Sequence, residues 1–524
     1  MRWVEVEDAV GRPLKITLLS DWDLIFCGPF TLLTFLFRWA FRISFALVNV
    51  AMLRTNQFLT KVGVSLTGRL VLLPCLIAAA SRVTTVTGPF SGASLISGAI
   101  VFLLARTALL KINSQFMHLE DPHGRIPPRP PVSRSDVVTF DRIRREAAGL
   151  PDACVRHRYD KGYLYCAWVR ALLFLPAFVC ELFLPTSWLR YALLLFVVSF
   201  SFSDFERIEH VSSHSAHGKM LIAGNAPWWA SVAESLRRYL VWPLFGWYPN
   251  WYYVSHALHH HVENNGPADW QSTIRYSRAS VLDFTKATTW LSLNGLIPLE
   301  TFFYLAQRRG WRFYRILARG WLWYLALMAA VMLVQPLATL ILLALRATTG
   351  IGGYLFVGSW HGFHDPTRPY DPAASNQALA HYAHHMNPRI HLRDREALEA
   401  VVRNIREPSA VVVLRPESEV LPGFWHLQGL LWKGEFASAA ESFIQHKNIT
   451  ENDKVNPFGL RRGLTAPGID SATMQRLSSA FYSCLRPRWL RAVDASLSNF
   501  VGTWVCRRNP STALKSAVPV QKGS

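Results

Sequence analysis

Charge is scarce in this 524-residue chain: Asp, Glu, Lys and Arg make up 17% of it, against about 25% in ordinary soluble domains. That deficit disfavours a fully solvated globular enzyme. Cysteine is sparse too, with seven residues, no regular spacing and no Cys-x-x-Cys pair, which argues against a disulfide framework or a thiolate metal site. Cys27, Cys75 and Cys180 lie in apolar runs and read as small core residues. No cleavable leader is apparent, because the first twenty residues mix acids and bases and the first apolar run starts near Leu24. No internal repeat stands out. What is plentiful excludes disorder: 31 Phe, 20 Trp and 16 Tyr carry far more burial-seeking surface than a disordered chain.

Acids are outnumbered, 35 against 55 Lys and Arg, for a net charge of +20. Nucleic-acid binding would need a basic stripe on a soluble domain. Here the cations flank apolar segments, as in Arg308-Arg309-Arg312-Arg315-Arg319 and Arg461-Arg462, a placement that suits the cytoplasmic side of a membrane. The expected class is therefore all-α: a multi-span helical membrane protein with no nucleic-acid partner. Crossing a bilayer takes about 20 apolar residues. Spans are expected around 70–81 and 90–110, then at 163–184 and 188–205 with Pro185 between them, then as a pair within 321–357 turned at Gln335-Pro336. The run 24–53, interrupted by Arg38 and Arg42, suits the interface. The apolar segment 287–306 carries Glu300 and reads as a re-entrant or in-plane helix. The Pro-rich stretch 111–161 reads as a cytosolic loop. Three regions follow: 1–162 as a membrane hairpin with a basic loop, 163–394 as the catalytic membrane domain, and 395–524 as a cytosolic helical region. The last holds an amphipathic helix near 424–445 and ends in a disordered tail.

Thirteen of the 18 histidines fall between His210 and His391, and their spacing is more telling than their number. His210 and His214 are four apart and share one face of a helix, with His217 three further on. His256, His259 and His260 form a His-x-x-His-His motif, and His381, His384 and His385 form another. Positions i, i+3 and i+4 converge on one patch of an α-helix, so each motif points at one site. One such motif is compatible with a solvated polar face; two, with a His-x-x-x-His before them, point to metal. His361 closes the third pair of spans, where an ionisable group is expensive unless it serves a site, and is read as a ligand. His364 is open between ligand and supporting roles. His261 and His391 read as hydrogen-bonded or solvated side chains.

Imidazole-only shells suit Zn, Cu, Fe and Ni. Nine ligands exceed what a tetrahedral zinc needs and suffice for two five- or six-coordinate ions. No Cys or Met falls among them, which disfavours soft copper. Carboxylates that fix imidazole tautomers are expected among Asp204, Glu209, Glu263, Asp269 and Asp365. The Trp and Tyr residues of 228–229, 247–248 and 251–253 read as an interfacial belt.

With these motifs, the chain resembles the membrane fatty-acid desaturase and hydroxylase superfamily, the histidine-box di-iron enzymes, over roughly 163–394. The flanking text 260–273 (HHVENNGPADWQST) is similar to the stretch after the second box of bacterial-type acyl desaturases. The segment 360–366 (WHGFHDP) is similar to the one that supplies an extra ligand before the third box. The resemblance implies a helical membrane domain whose cytosolic face carries two irons. Their ligands would be His210, His214, His256, His259, His260, His361, His381, His384 and His385. O2 is then the co-substrate, and the substrate is an acyl chain held as a CoA or phospholipid ester. The setting is the endoplasmic reticulum of a eukaryote or the inner membrane of a bacterium. There is no His-Pro-Gly-Gly haem motif, so an external donor of cytochrome b5 or ferredoxin type is implied. The expected reaction is desaturation. A lipid or alkane hydroxylase is the alternative within the superfamily, and a zinc-dependent membrane hydrolase or a metal transporter lies outside it.

Overall fold

The computed structural model describes residues 2–25, 66–105, 152–155, 225–347, 379–387, 412–414, 421–445, 469–482 and 486–508. It adds single residues and short runs between 160 and 222 and between 353 and 367. Helix accounts for 72% of what is described, which agrees with the expected helical class. The principal elements in chain order are β1 (Arg2–Glu7), β2 (Pro13–Leu18), α1 (Leu66–Thr87), α2 (Trp228–Leu236), α3 (Tyr253–His260), α4 (Val281–Leu296), α5 (Leu299–Tyr304), α6 (Trp311–Val334), α7 (Pro336–Ala347), α8 (Leu379–Met386), β3 (Val412–Leu414), α9 (Leu421–Lys433), α10 (Phe436–Ala440), β4 (Phe443–Gln445), α11 (Ser471–Leu477) and α12 (Arg488–Arg508).

They belong to two compact units that interleave along the chain. The first comprises residues 1–33, 257–310 and 347–524, and the second 34–256 and 311–346. Three consecutive regions were expected; instead, the N-terminal and C-terminal segments share a unit.

In the second unit, α6 begins after Gly310 and ends at Gln335, so the expected break at Gln335-Pro336 is present. It starts ten residues earlier than the expected span and takes in Arg312, Arg315 and Arg319. Leu317, Gly320, Tyr324, Met328 and Val331 form its buried stripe. The opposite side is equally apolar and exposed at Leu322, Trp323, Leu325 and Leu333. A helix apolar on all sides suits a bilayer. Among the described residues α6 is the one helix long and apolar enough to cross a membrane; α7, at 12 residues, is too short alone. Most of the spans expected at 163–184 and 188–205 fall outside the described residues.

The first unit departs from an all-helical expectation. β1 and β2 form an antiparallel hairpin pairing Arg2 with Leu18 and Glu7 with Pro13; β3 and β4 pair likewise. The expected re-entrant segment is two helices, α4 and α5, parted at Ile297-Pro298. The amphipathic helix expected near 424–445 is broken at Gly434, whose φ of +74° suits glycine alone at low cost, and continues as α10 and β4. Phe363, Leu414, Phe424, Leu431 and Phe443 pack as one core. Beside it lies a buried ion network in which Arg486 reaches Asp21, Asp283 and Asp494, while Lys286 also meets Asp21.

Candidate metal centre

α3 is wound as a π-helix, with hydrogen bonds from i to i+5 and a wider turn than an α-helix. That winding changes which histidines share a face. In an α-helix the sequence predicts His256, His259 and His260 together. In the wider turn His260 and His261 follow His256, and His259 is rotated away. The ring of His259 stacks on Tyr304 with centroids 3.8 Å apart and planes 9° from parallel. Its Nε2 lies 3.0 Å from the Ala268 carbonyl oxygen, and burial pushes its pKa down to about 4. The structure thus leaves His259, an expected ligand, outside the clusters, and it places His261, expected to be a bystander, beside His384 with centroids 4.8 Å apart.

In the first unit His260, His361, His381 and His385 bring ligand nitrogens within 4.8 Å of one another, and all four are buried. His361 Nε2 is 3.0 Å from His260 Nε2 and 2.9 Å from His381 Nε2. The His385 ring stands 5.0, 4.6 and 4.5 Å from those of His260, His361 and His381. Neither nitrogen of His385 has a hydrogen-bond partner among the described residues. Burial, then His381, His361 and His260, hold it well below the ordinary histidine pKa, so it stays neutral with lone pair available.

The loop after α3 explains why the inward nitrogens are lone pairs. Asn264 and Asn265 both adopt left-handed backbone, φ +47° and +64°, which Asn tolerates better than most residues. Asn265 Oδ1 accepts the Thr273 backbone N–H at 2.8 Å, and buried Arg275 donates from Nε to the Pro267 carbonyl at 3.0 Å while pairing with Glu300. The chain is thereby doubled back so that Asp269 Oδ2 sits 2.6 Å from His260 Nδ1. Asp269 also accepts the backbone N–H of Asn265 and of Gln271, each at 2.8 Å. Burial raises its pKa, but His260, His259 and the Gln271 N–H together outweigh burial and the net position is below the ordinary carboxylate value. An ionised Asp269 keeps the proton of His260 on Nδ1 and turns the Nε2 lone pair toward His361. This carboxylate–imidazole pairing is the usual support of a metal-bound histidine.

In the second unit His210, His214 and His256 form a trio, with ring centroids 5.3, 4.5 and 5.1 Å apart. His210 and His256 are buried. Tyr252 lies against His256 at 5.0 Å. The neighbouring Glu209 accepts from Arg237 Nη1 at 3.2 Å. Arg237 is itself buried, donates from Nε to Glu234 at 2.7 Å and lies over the Trp242 ring at 4.2 Å.

Of the other carboxylates, Glu263 accepts from the Tyr304 hydroxyl at 2.6 Å and the Ala9 N–H at 2.8 Å, and Asp365 is held by Thr367 and Arg476. Neither has a histidine partner among these bonds. His364 is buried, 6.1 Å from Phe481 between ring centroids, and outside both clusters. Asp204, His217 and His391 lie outside the described residues. No family model, no curated protein and no solved structure matches the chain, so the clusters themselves are the ground for a functional reading.

Proposed function

We propose that the chain is an O2-dependent membrane lipid desaturase that holds two irons in histidine clusters. The observation that carries this reading is the buried group His260, His361, His381 and His385. Its ligand nitrogens lie within 4.8 Å of one another, neither nitrogen of His385 has a hydrogen-bond partner among the described residues, and Asp269 fixes the tautomer of His260 from behind. A cation satisfies such a set, and neutral imidazoles suit iron as well as zinc. His260, His361, His381 and His385 would hold one ion. His210, His214 and His256 would hold the other, and His261 and His384 are the two remaining donors.

Bound reduced iron supplies O2 reduction and removal of hydrogen from an unactivated C–H bond. The balance is one O2, two electrons and two protons consumed, with two hydrogens lost from adjacent carbons and two waters formed. The electrons come from an external donor of cytochrome b5 or ferredoxin type. The chain's part is to keep His260 in one tautomer through Asp269 and to hold His385 neutral by burial. Tyr252 packs against His210 and His256. The length and composition of α6 support a membrane setting, where a lipid acyl ester is the substrate at hand.

Metal analysis of the purified chain, with lipid profiling of cells expressing it, tests the proposal. About two irons per chain and acyl products two hydrogens lighter are expected, both lost in His385→Ala and His384→Ala. A single zinc overturns the iron reading, and a gain of one oxygen transfers the assignment to hydroxylation.

A further inference from the structure

α12 carries its large apolar residues on the outside. Trp489, Val493, Leu497, Phe500 and Trp504 follow one another at spacings of four, four, three and four, which makes a single stripe. All are exposed, Trp489 by 64% and Phe500 by 71%. The stripe is about 22 Å long at 1.5 Å per residue.

The opposite face is fixed to the rest of the unit. Asp494 accepts from Ser280 Oγ at 2.7 Å and from Arg486. Ser498 accepts the Val281 N–H at 2.9 Å. Gly502 packs so closely on Gly429 that a Cβ would collide. The helix therefore cannot roll its apolar face inward without losing buried partners.

Charge on the same helix is of one sign. Arg488, Arg491, Arg507 and Arg508 are exposed at its two ends, and its one acid, Asp494, is buried. A second element shares the apolar surface. Trp22 and Ile25, exposed by 71% and 57%, line one cavity of about 660 Å³ with Trp489, Leu490 and Arg2.

We propose that this face of the first unit lies in the interface of an anionic lipid bilayer, with the stripe and Trp22 among the upper acyl chains and the arginines at the phosphates. Apolar residues along one helix face, tryptophans at its ends and basic residues beside them are the makings of an in-plane membrane helix. A protein partner is the weaker occupant, because the same chain offers a helix of bilayer length and a charge of +20 that already favours anionic membranes. The inference does not depend on the metal reading.

The test uses the full chain in nanodiscs, with p-benzoylphenylalanine placed at Phe500 and, as a control, at Glu441. Irradiation is expected to give phospholipid adducts at Phe500 and few at Glu441. In discs of mixed phosphatidylcholine and phosphatidylglycerol, the adducts should exceed the phosphatidylglycerol mole fraction several-fold, as each arginine near the surface favours anionic lipid roughly fivefold. Replacing Arg488, Arg491, Arg507 and Arg508 with Gln should return adduct composition to the mole fraction. A crosslinked dimer, an intrachain adduct or no adduct at Phe500 overturns the proposal. Adducts that persist in His385→Ala separate it from the fate of the metal site.

Discussion

Replacing Asp269 tests the coupling between the loop and the metal centre most directly. Asp269 has three donors to satisfy: His260 Nδ1 and the Asn265 N–H on one oxygen, and the Gln271 N–H on the other. In Asp269→Asn the amide does least harm by turning its NH2 toward Gln271, which is only partly buried. His260 then keeps an acceptor but loses the charge. Hydrogen bonds to charged groups contribute about 1.5–3 kcal/mol and neutral ones about 1 kcal/mol, so the loss is about 1 kcal/mol and iron affinity should fall about fivefold. In Asp269→Ala the Nδ1–H has no acceptor and the ring is free to move its proton to Nε2, the atom turned toward His361. The loss should approach 100-fold, the upper end for removal of a carboxylate behind a metal-bound histidine. The assay is iron competition against a chelator of known affinity on purified protein, with thermal melts to report folding. Asp365→Asn, a carboxylate tied to Thr367 and Arg476, serves as control and should bind iron as the parent does. If Asn and Ala variants both fold and retain parental affinity, Asp269 does not orient a metal-bound histidine and the reasoning fails.

Four further outcomes follow from the same structure. On the proposed di-iron reading, His259→Phe preserves the stack on Tyr304 and should leave the metal content unchanged, whereas His261→Ala should lower it, and elemental analysis distinguishes them; an α-helical α3 predicts the reverse. Asn264→Ala keeps a Cβ in left-handed backbone but removes the short polar side chain that makes this region tolerable, and should destabilise by about 1 kcal/mol, read as a lower denaturation midpoint. Arg237→Leu leaves Glu234 and Glu209 buried without their cation, a loss of roughly 3–5 kcal/mol, and the second unit should unfold early in a thermal melt. Asp8 is raised by burial, but the Arg12 and Val10 N–H groups and the Arg12 side chain bring its pKa below the ordinary value. A depressed carboxylate stabilises the fold above its unfolded pKa and loses that effect as pH falls through the folded one. Protection of the Val10 and Arg12 amides, corrected for the intrinsic pH dependence of exchange, should thus be constant from pH 8 to 5 and fall below pH 4, and Asp8→Asn should show weaker protection that does not change over this range.

How much of this was legible in the sequence differs from element to element. The histidine spacing pointed to convergence because period is a local property, and eight of the nine expected ligands do lie in the clusters. The ninth, His259, lies outside them; an i, i+3, i+4 rule assumes an α-helix, and nothing in Tyr253–His260 announces the wider winding. Asp269 could not be separated from four other carboxylates, since its role depends on a chain reversal held by Asn265 and Arg275 and not on distance along the chain. The β1–β2 hairpin had its signals in the alternation of 2–7 and the Gly11 turn, but six-residue strands beside long apolar runs are easily passed over. α12 was missed for a different reason: most of its large apolar residues face outward while Asp494, Ser498 and Gly502 face inward, so its pattern is nearly that of an ordinary surface segment turned inside out.

The π-winding of α3 needs a cause, because i to i+5 hydrogen bonds are intrinsically poorer than those of an α-helix. The cause lies in the partners on either side. His259 is fixed by Tyr304 and the Ala268 carbonyl, His260 by Asp269, and the Leu258 carbonyl accepts from Arg309 Nε at 3.1 Å. Tightening α3 to an α-helix would rotate both histidines out of these contacts together and expose buried donors. The neighbouring contacts thus supply the free energy that holds α3 in its wider form.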